Sequence, residues 1–307
     1  DWLVRSDASW AKVLTASGKG SSTAAQVRIS VDENTSADSR STNLSVSSLS
    51  GDKATVALTQ AGSGGEVVKH GISSADELLA FAKAVNEGAS VNRYMSNGIV
   101  KIISDIDASS IKEWTPAGTA KHPLTYSIDG GGHRITGISW AIDLTKSPDA
   151  GLVGYAKNAS IRDIVLEGPG MTLKGSASKV NAGAFVGYAE GCTLSMLVSK
   201  AGVAMTENTA EGAGIAVGGI CGFVDSGSAM GGELKRDGCD NQGNVLTSVS
   251  CNAGGIAGHN EGTVTNCTNS GAILGKKSSD GKCGPAWGCS YNKDKGGFKS
   301  NFGYGYV

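Results

Sequence analysis

Asp105 and Asp107 form the carboxylate pair best placed for acid–base work, because residues two apart on a strand share a face. Glycoside hydrolysis needs two carboxyls facing each other across about 5 to 9.5 Å. The flanking Ile103 and Ile106 instead fit a strand running into a turn, so a structural role is the better reading of the pair. Asp129, followed by three glycines, reads as a turn former and not a base. His70, His122, His133 and His259 lie far apart with no paired spacing. No nucleophile elbow, phosphate loop or zinc signature occurs. Calcium would require several convergent acidic groups, and no acidic residue recurs in the repeats of the C-terminal half. No catalytic residue, metal or cofactor is expected.

Aromatic rings are the other chemistry available, as platforms for sugars. Tyr155, Tyr188, Phe223 and His259 fall at one equivalent position of an internal repeat, either as an exterior ladder or as stacking that serves stability. Of the tryptophans, Trp10 and Trp114 read as architectural, while Trp140, after the strand Ile135 to Ile138, reads as more open. The candidate ligand-binding set is therefore Tyr155, Tyr188, Phe223, His259 and Trp140. Seven cysteines, all from Cys192 onward, are an odd number with no tight Cys-x-x-Cys pair, and read as small buried hydrophobes.

The elements that must position these residues are short strands. Forty-six glycines in 307 residues are about twice the ordinary share of roughly 7%. With abundant Ser, Thr and Asn, they suit many strands joined by tight turns. Twenty-seven basic against 28 acidic residues leave a net charge of −1, which offers no basic stripe for nucleic acid. No apolar run approaches the roughly 20 residues of a membrane span. The opening Asp1-Trp2-Leu3-Val4 reads as mid-strand, the mark of a processed N-terminus.

Residues 1–62 alternate in the manner of a small antiparallel sandwich, with Val27, Ile29 and Val31, then Leu44 and Val46, then Val56 and Leu58 each sharing a face. Trp10, Val27 to Val31, Asn34, Arg40 and the closing Val56-Ala57-Leu58-Thr59-Gln60-Ala61-Gly62 resemble the BACON domain, a Bacteroidetes-associated, often N-terminal module. That resemblance implies an immunoglobulin-like β-sandwich and a role in binding carbohydrate or mucin. The family's strands before the first tryptophan are missing, so the sandwich is expected either to be incomplete or to be completed by another segment. Ser63-Gly64-Gly65 reads as a flexible joint.

Residues 66–307 form the second expected domain. Ser74-Ala75-Asp76-Glu77 is a capping box opening a helix that Gly88 stops, and this helix is expected to lie over the open end of a strand stack. Gly154, Gly187, Gly222, Gly258 and Gly288 then recur in steps of 33, 35, 36 and 30, each within a small apolar strand. A repeat of this length with glycine corners predicts a solenoid. Leu152, Phe185, Ile220 and Ile256 should form one inward column, with Cys239 over Cys267 and Asn241 over Asn269 in two more. Each copy should lead into a second short strand: Ile161 to Leu166, Leu194 to Val198, Val264 to Cys267. The copies resemble GLUG-type repeats of bacterial adhesins, which implies a right-handed parallel β-helix, to which the helix after Ser74 would add one N-terminal cap. The whole is expected to be a secreted or cell-surface, monomeric, adhesin-like protein that binds glycan or mucin. A polysaccharide lyase or glycoside hydrolase on the β-helix is the alternative.

Overall fold

The structure is a computed structural model that describes residues 1–20, 25–36, 38–62, 70–212 and 214–275, and the backbone of strands Gly297–Lys299 and Phe302–Gly303. The Ser63-Gly64-Gly65 joint, the copy around Gly288 with Trp287, and Cys283 and Cys289 lie outside the described residues. The chain divides into two compact units, Asp1–Lys69 and His70–Val307.

The first unit is an antiparallel sheet in the order Ser17–Gly18, Trp2–Ser6, Arg40–Ser48, Lys53–Gln60, with a separate ribbon of Ala11–Val13 against Ile29–Val31. The two long strands form a hairpin whose Asp52 carboxylate accepts hydrogen bonds from Ser48 and Ser50. Of the residues behind the BACON likeness, Trp10, Asn34, Arg40 and Gln60 make structural contacts. The Arg40 guanidinium lies 4.4 Å over the Trp10 ring and donates to Gln60 and to the Asp32 carbonyl. Buried Asn34 donates to the carbonyls of Asp38 and Ala61. Two of the expected faces need correction. Val27, Val31 and Val56 are exposed, and among the described residues only Val4, Ala11 and Leu44 form an apolar interior. Among the described residues, the first unit is thus a four-stranded sheet and a two-stranded ribbon with a small apolar interior.

The second unit is a parallel β-solenoid with about five turns. It opens on the helix Ala75–Glu87. The Ser74 hydroxyl accepts the Glu77 N–H, and Gly88 adopts the left-handed conformation that ends the helix (φ 67°). The Glu77 carboxylate reaches back one residue further than a standard capping box, to the N–H and hydroxyl of Ser73. Leu78, Phe81, Ala82 and Val85 join the solenoid core. The Asn86 side chain donates to the Pro116 carbonyl and accepts the Gly118 N–H, standing in for a missing neighbouring strand.

Each full coil has three walls. The first is a composite sheet in which Ser160–Lys174 pairs in parallel with Thr193–Met205, with a register shift after Glu167. Two of the expected second strands are thus segments of long bent strands. The third is Thr263–Thr265, ending where Asn266 turns left-handed. The second wall stacks Asp149–Ala150, Val180–Ala182, Ile215–Gly218 and Asn252–Gly254. The third stacks Val153–Lys157, Val186–Glu190, Cys221–Val224 and Ala257–Asn260. Leu152, Phe185, Ile220 and Ile256 are all buried, as the repeat requires. At one corner of the first wall the chain turns through single left-handed residues, Asp163, Met196 and Asn266, with φ of 58°, 53° and 55°.

Candidate functional site

The third wall carries the aromatic column. In-register pairing sets Tyr155 beside Tyr188, Tyr188 beside Phe223, and Phe223 beside His259. Their rings stack nearly parallel, with centroids 4.8, 4.8 and 4.4 Å apart. All four are half-buried and lie on the outward side of the strands, whose alternate residues Val153, Ala156, Val186 and Ala189 are buried. Stacking has a consequence for recognition. Each inner ring spends both faces on its neighbours, so the column presents ring edges and a tyrosine hydroxyl, and not open faces.

A charged column runs beside it. Lys157, Glu190, Asp225 and Glu261 follow the ladder strands at equivalent positions. Glu190 accepts from the Tyr155 hydroxyl at 2.6 Å and pairs with Lys157 at 2.7 Å, and these contacts lower its pKa. Burial, then the hydrogen bond to Glu190, raises the Tyr155 pKa, so its hydroxyl stays a donor. Asp225 accepts from Gly191 N–H, Gly227 N–H and the Ser228 hydroxyl, holding a corner. The His259 ring lies 3.3 Å from the Glu261 carboxylate.

Trp140 does not belong to this surface. It falls two residues after Ile138 and two before Ile142 on the inward face, is 1% exposed, and stacks on Trp114 at 4.6 Å. The expectation of an open ring is corrected: the strand alternation that buries the two isoleucines buries the tryptophan.

Asp105 and Asp107 do share an exposed face, and both are engaged. Asp105 accepts from the Arg134 N–H at 3.0 Å and faces the His133 ring at 3.1 Å, which lowers its pKa. Asp107 accepts from the Ser109 N–H, which lowers its pKa in turn. Asp129 does form the expected turn, accepting from Gly131, and its other oxygen takes Lys101 and Arg162 at 2.8 Å each. The carboxylates of this wall hold backbone and neighbouring cations.

Five cysteines, Cys192, Cys221, Cys239, Cys251 and Cys267, are buried. Burial pushes the Cys221 and Cys239 thiols well above their ordinary range, which keeps them unreactive. The Cys239 N–H points at the Cys267 sulfur at 3.4 Å, so the two stack as expected. No group of three or more His, Cys, Asp or Glu that could hold a metal occurs among the described residues.

Sequence reasoning missed a cleft of about 530 Å³ at the first coils, lined by Asn86, Glu113, Trp114, Asp143, Lys146 and Lys174 among others. Glu113, Asp143 and Lys174 lie about one coil apart in sequence and come together through register: Glu113 bridges to Ala141, and Asp143 pairs beside Lys174. The recurrence of near 30 residues between them was the available signal.

Comparison with known families gives two matches. Residues 1–61 match BACON, described as "Putative binding domain, N-terminal", and residues 249–274 match the GLUG motif. No curated protein and no solved structure matches the chain.

Proposed function

We propose that this chain is a secreted or cell-surface, adhesin-like protein of a Bacteroidetes bacterium that binds glycan or mucin-type glycoprotein as a monomer, without turning it over. The observation that carries the reading is the outward ladder of Tyr155, Tyr188, Phe223 and His259, repeated in register over four coils beside the charged column of Lys157, Glu190, Asp225 and Glu261. A repeating polymer laid along the solenoid meets a ring edge at every step and a charged side chain beside it, so weak contacts add up. The match of residues 1–61 to a binding-domain family supports the same class of role. Asp105 and Asp107, the pair nearest to a hydrolytic arrangement, are occupied by backbone and side-chain donors.

The test is retention of the full chain on immobilised mucin and a glycan array, run beside a reducing-end assay on mixed polysaccharides. Retention without sugar release is expected. Replacing Tyr155 and Tyr188 together by Phe keeps the stack, removes the hydroxyls, and should weaken retention while leaving the melt nearly unchanged. Release of reducing ends, abolished by Asp105→Asn or Asp107→Asn, would transfer the protein to the polysaccharide-degrading class.

A further inference from the structure

The cleft at the first coils lies apart from the ladder, and its origin is a shortfall in the stack. In the two coils after the first, the composite wall runs through Asp143 and on to Lys174. Among the described residues, the first coil meets that wall there through the isolated Glu113–Ala141 bridge, and Pro116 and Ala117 beyond it are buried. The space a further strand would fill stays open between the helix Ala75–Glu87 and the turn after Asp143, with a volume of about 530 Å³. That is within the range of small-ligand sites, roughly 300–1,000 Å³.

The charges on its walls divide into committed and uncommitted groups. Asp143 is committed: one oxygen accepts from the N–H and hydroxyl of Thr145, and the other takes Lys146 at 3.1 Å. Asn86 is used up on Pro116 and Gly118, and the Trp114 N–H on the Gly151 carbonyl. Glu113 and Lys174 are both exposed and make no side-chain hydrogen bond or ion pair with any described residue. The cleft therefore offers an unused cation, an unused carboxylate acceptor and hydroxyls, with the Lys146 ammonium already paired to Asp143. Trp114 contributes little apolar surface, since it is 3% exposed and stacked on Trp140. Such a lining suits a hydroxylated anion better than an apolar side chain.

We infer that this cleft binds one carboxylated sugar unit, its carboxylate at Lys174 and its hydroxyls donating to Glu113. The inference deepens the glycan-binding reading and rests on it. Its test is titration of the full chain at low and moderate salt with a galacturonic acid trimer against a galactose trimer, and with sialyllactose against lactose. The acidic member of at least one pair should bind about tenfold more tightly, the usual size of a charge-assisted hydrogen bond, and the preference should shrink with salt. Which pair shows it distinguishes a uronic from a sialic acid source. Lys174→Gln should erase the preference with an unchanged melt, and Glu113→Gln should weaken binding of the preferred sugar severalfold. Binding of neutral and acidic sugars alike, or indifference to Lys174→Gln, overturns this site and leaves the wider glycan reading in place. Failure of every glycan, on the array as well as in titration, overturns both.

Discussion

One column inside the solenoid changes its chemistry from the upper coils to the lower. At the same register position stand Ile106, Ile135 and Leu166, then Ser199, Asn241 and Asn269, and all six are buried. In the upper coils the position is filled by hydrocarbon. In the lower coils it is filled by a hydrogen-bonded file: Ser199 donates to the Ala201 carbonyl, Asn241 to the Gly243 carbonyl and to Asn269, and Asn269 to the Gly271 carbonyl. The repeat thus conserves a backbone path and not a side-chain type. A buried amide is tolerated where both its neighbour in the file and its own turn satisfy it.

The file also makes a demand on the opposite wall. A Cβ at Gly219 would overlap the Asn241 amide and the Gly255 carbonyl, and one at Gly255 would overlap the Asn269 amide. One coil higher, the position equivalent to Gly219 is Ala184, at the level of the file's small Ser199 and not of an asparagine. Gly219→Ala should therefore cost about 3 kcal/mol in chemical denaturation, because both obstacles are buried and one is backbone. Ala184→Gly should cost about 1 kcal/mol or less. A cost below 1 kcal/mol at Gly219 would separate the glycine from the file and break the comparison.

Removing a member of the file tests its satisfaction directly. Asn241→Leu leaves the Asn269 amide and the Gly243 carbonyl short of a partner in the interior, and about 2–3 kcal/mol should be lost. Replacing Asn241 and Asn269 together should cost less than the sum of the two single changes, since the orphan is removed with its partner. Additive costs in that cycle would show that the asparagines stand side by side without acting as a unit.

The upper coils use ions at the surface where the lower coils use amides inside. Lys101, Asp129 and Arg162 lie in register on three successive coils. Burial works against the Asp129 charge, but the hydrogen bonds from Lys101 and Arg162 outweigh it and hold the pKa at about 2. A carboxylate pulled below its ordinary value of about 3.9 adds stability above that pH and loses it as pH falls toward 2. Asp129→Asn should then cost about 1–2 kcal/mol at pH 7 and progressively less below pH 4, read from denaturation midpoints at a series of pH values. A cost that persists undiminished at pH 2 would assign the effect to the turn at Gly131 instead of the charge.

The repeat made the order of each column legible, because glycine spacing is local and register follows from it. Tyr155, Tyr188, Phe223 and His259, and Asn241 over Asn269, were placed together from that spacing alone. What spacing did not convey was orientation and use. The four rings stack on one another, so the column is a ridge of edges. The sequence position of Trp140 after a strand suggests an open ring, but its two-residue offset from Ile138 and Ile142 places it inward. The helix was readable from its cap and its apolar spacing, yet the role of Asn86 as a substitute strand edge depends on Pro116 and Gly118 arriving opposite it. The cleft was hidden for a related reason: it exists where a coil falls short, and a repeat shows what recurs.

The smallest effect concerns the corner that both halves share. Asp163, Met196 and Asn266 each take the left-handed conformation there. Asp and Asn enter that region with help from a short polar side chain, whereas Met has no such aid and bears a cost of about 1 kcal/mol. Met196 is half-buried, so part of its side chain still packs on the wall. Met196→Asn relieves the backbone and gives up that packing, and the balance should be a gain of about 0.5 kcal/mol, visible as a slightly higher denaturation midpoint. Met196→Gly is the sharper control, because it relieves the same backbone but also frees the unfolded chain, which offsets the gain. Asn above wild type with Gly near it fits a corner strained by its side chain. Loss in both variants would mean that the thioether holds the corner by packing, and that the left-handed turn belongs to the coil whatever residue occupies it.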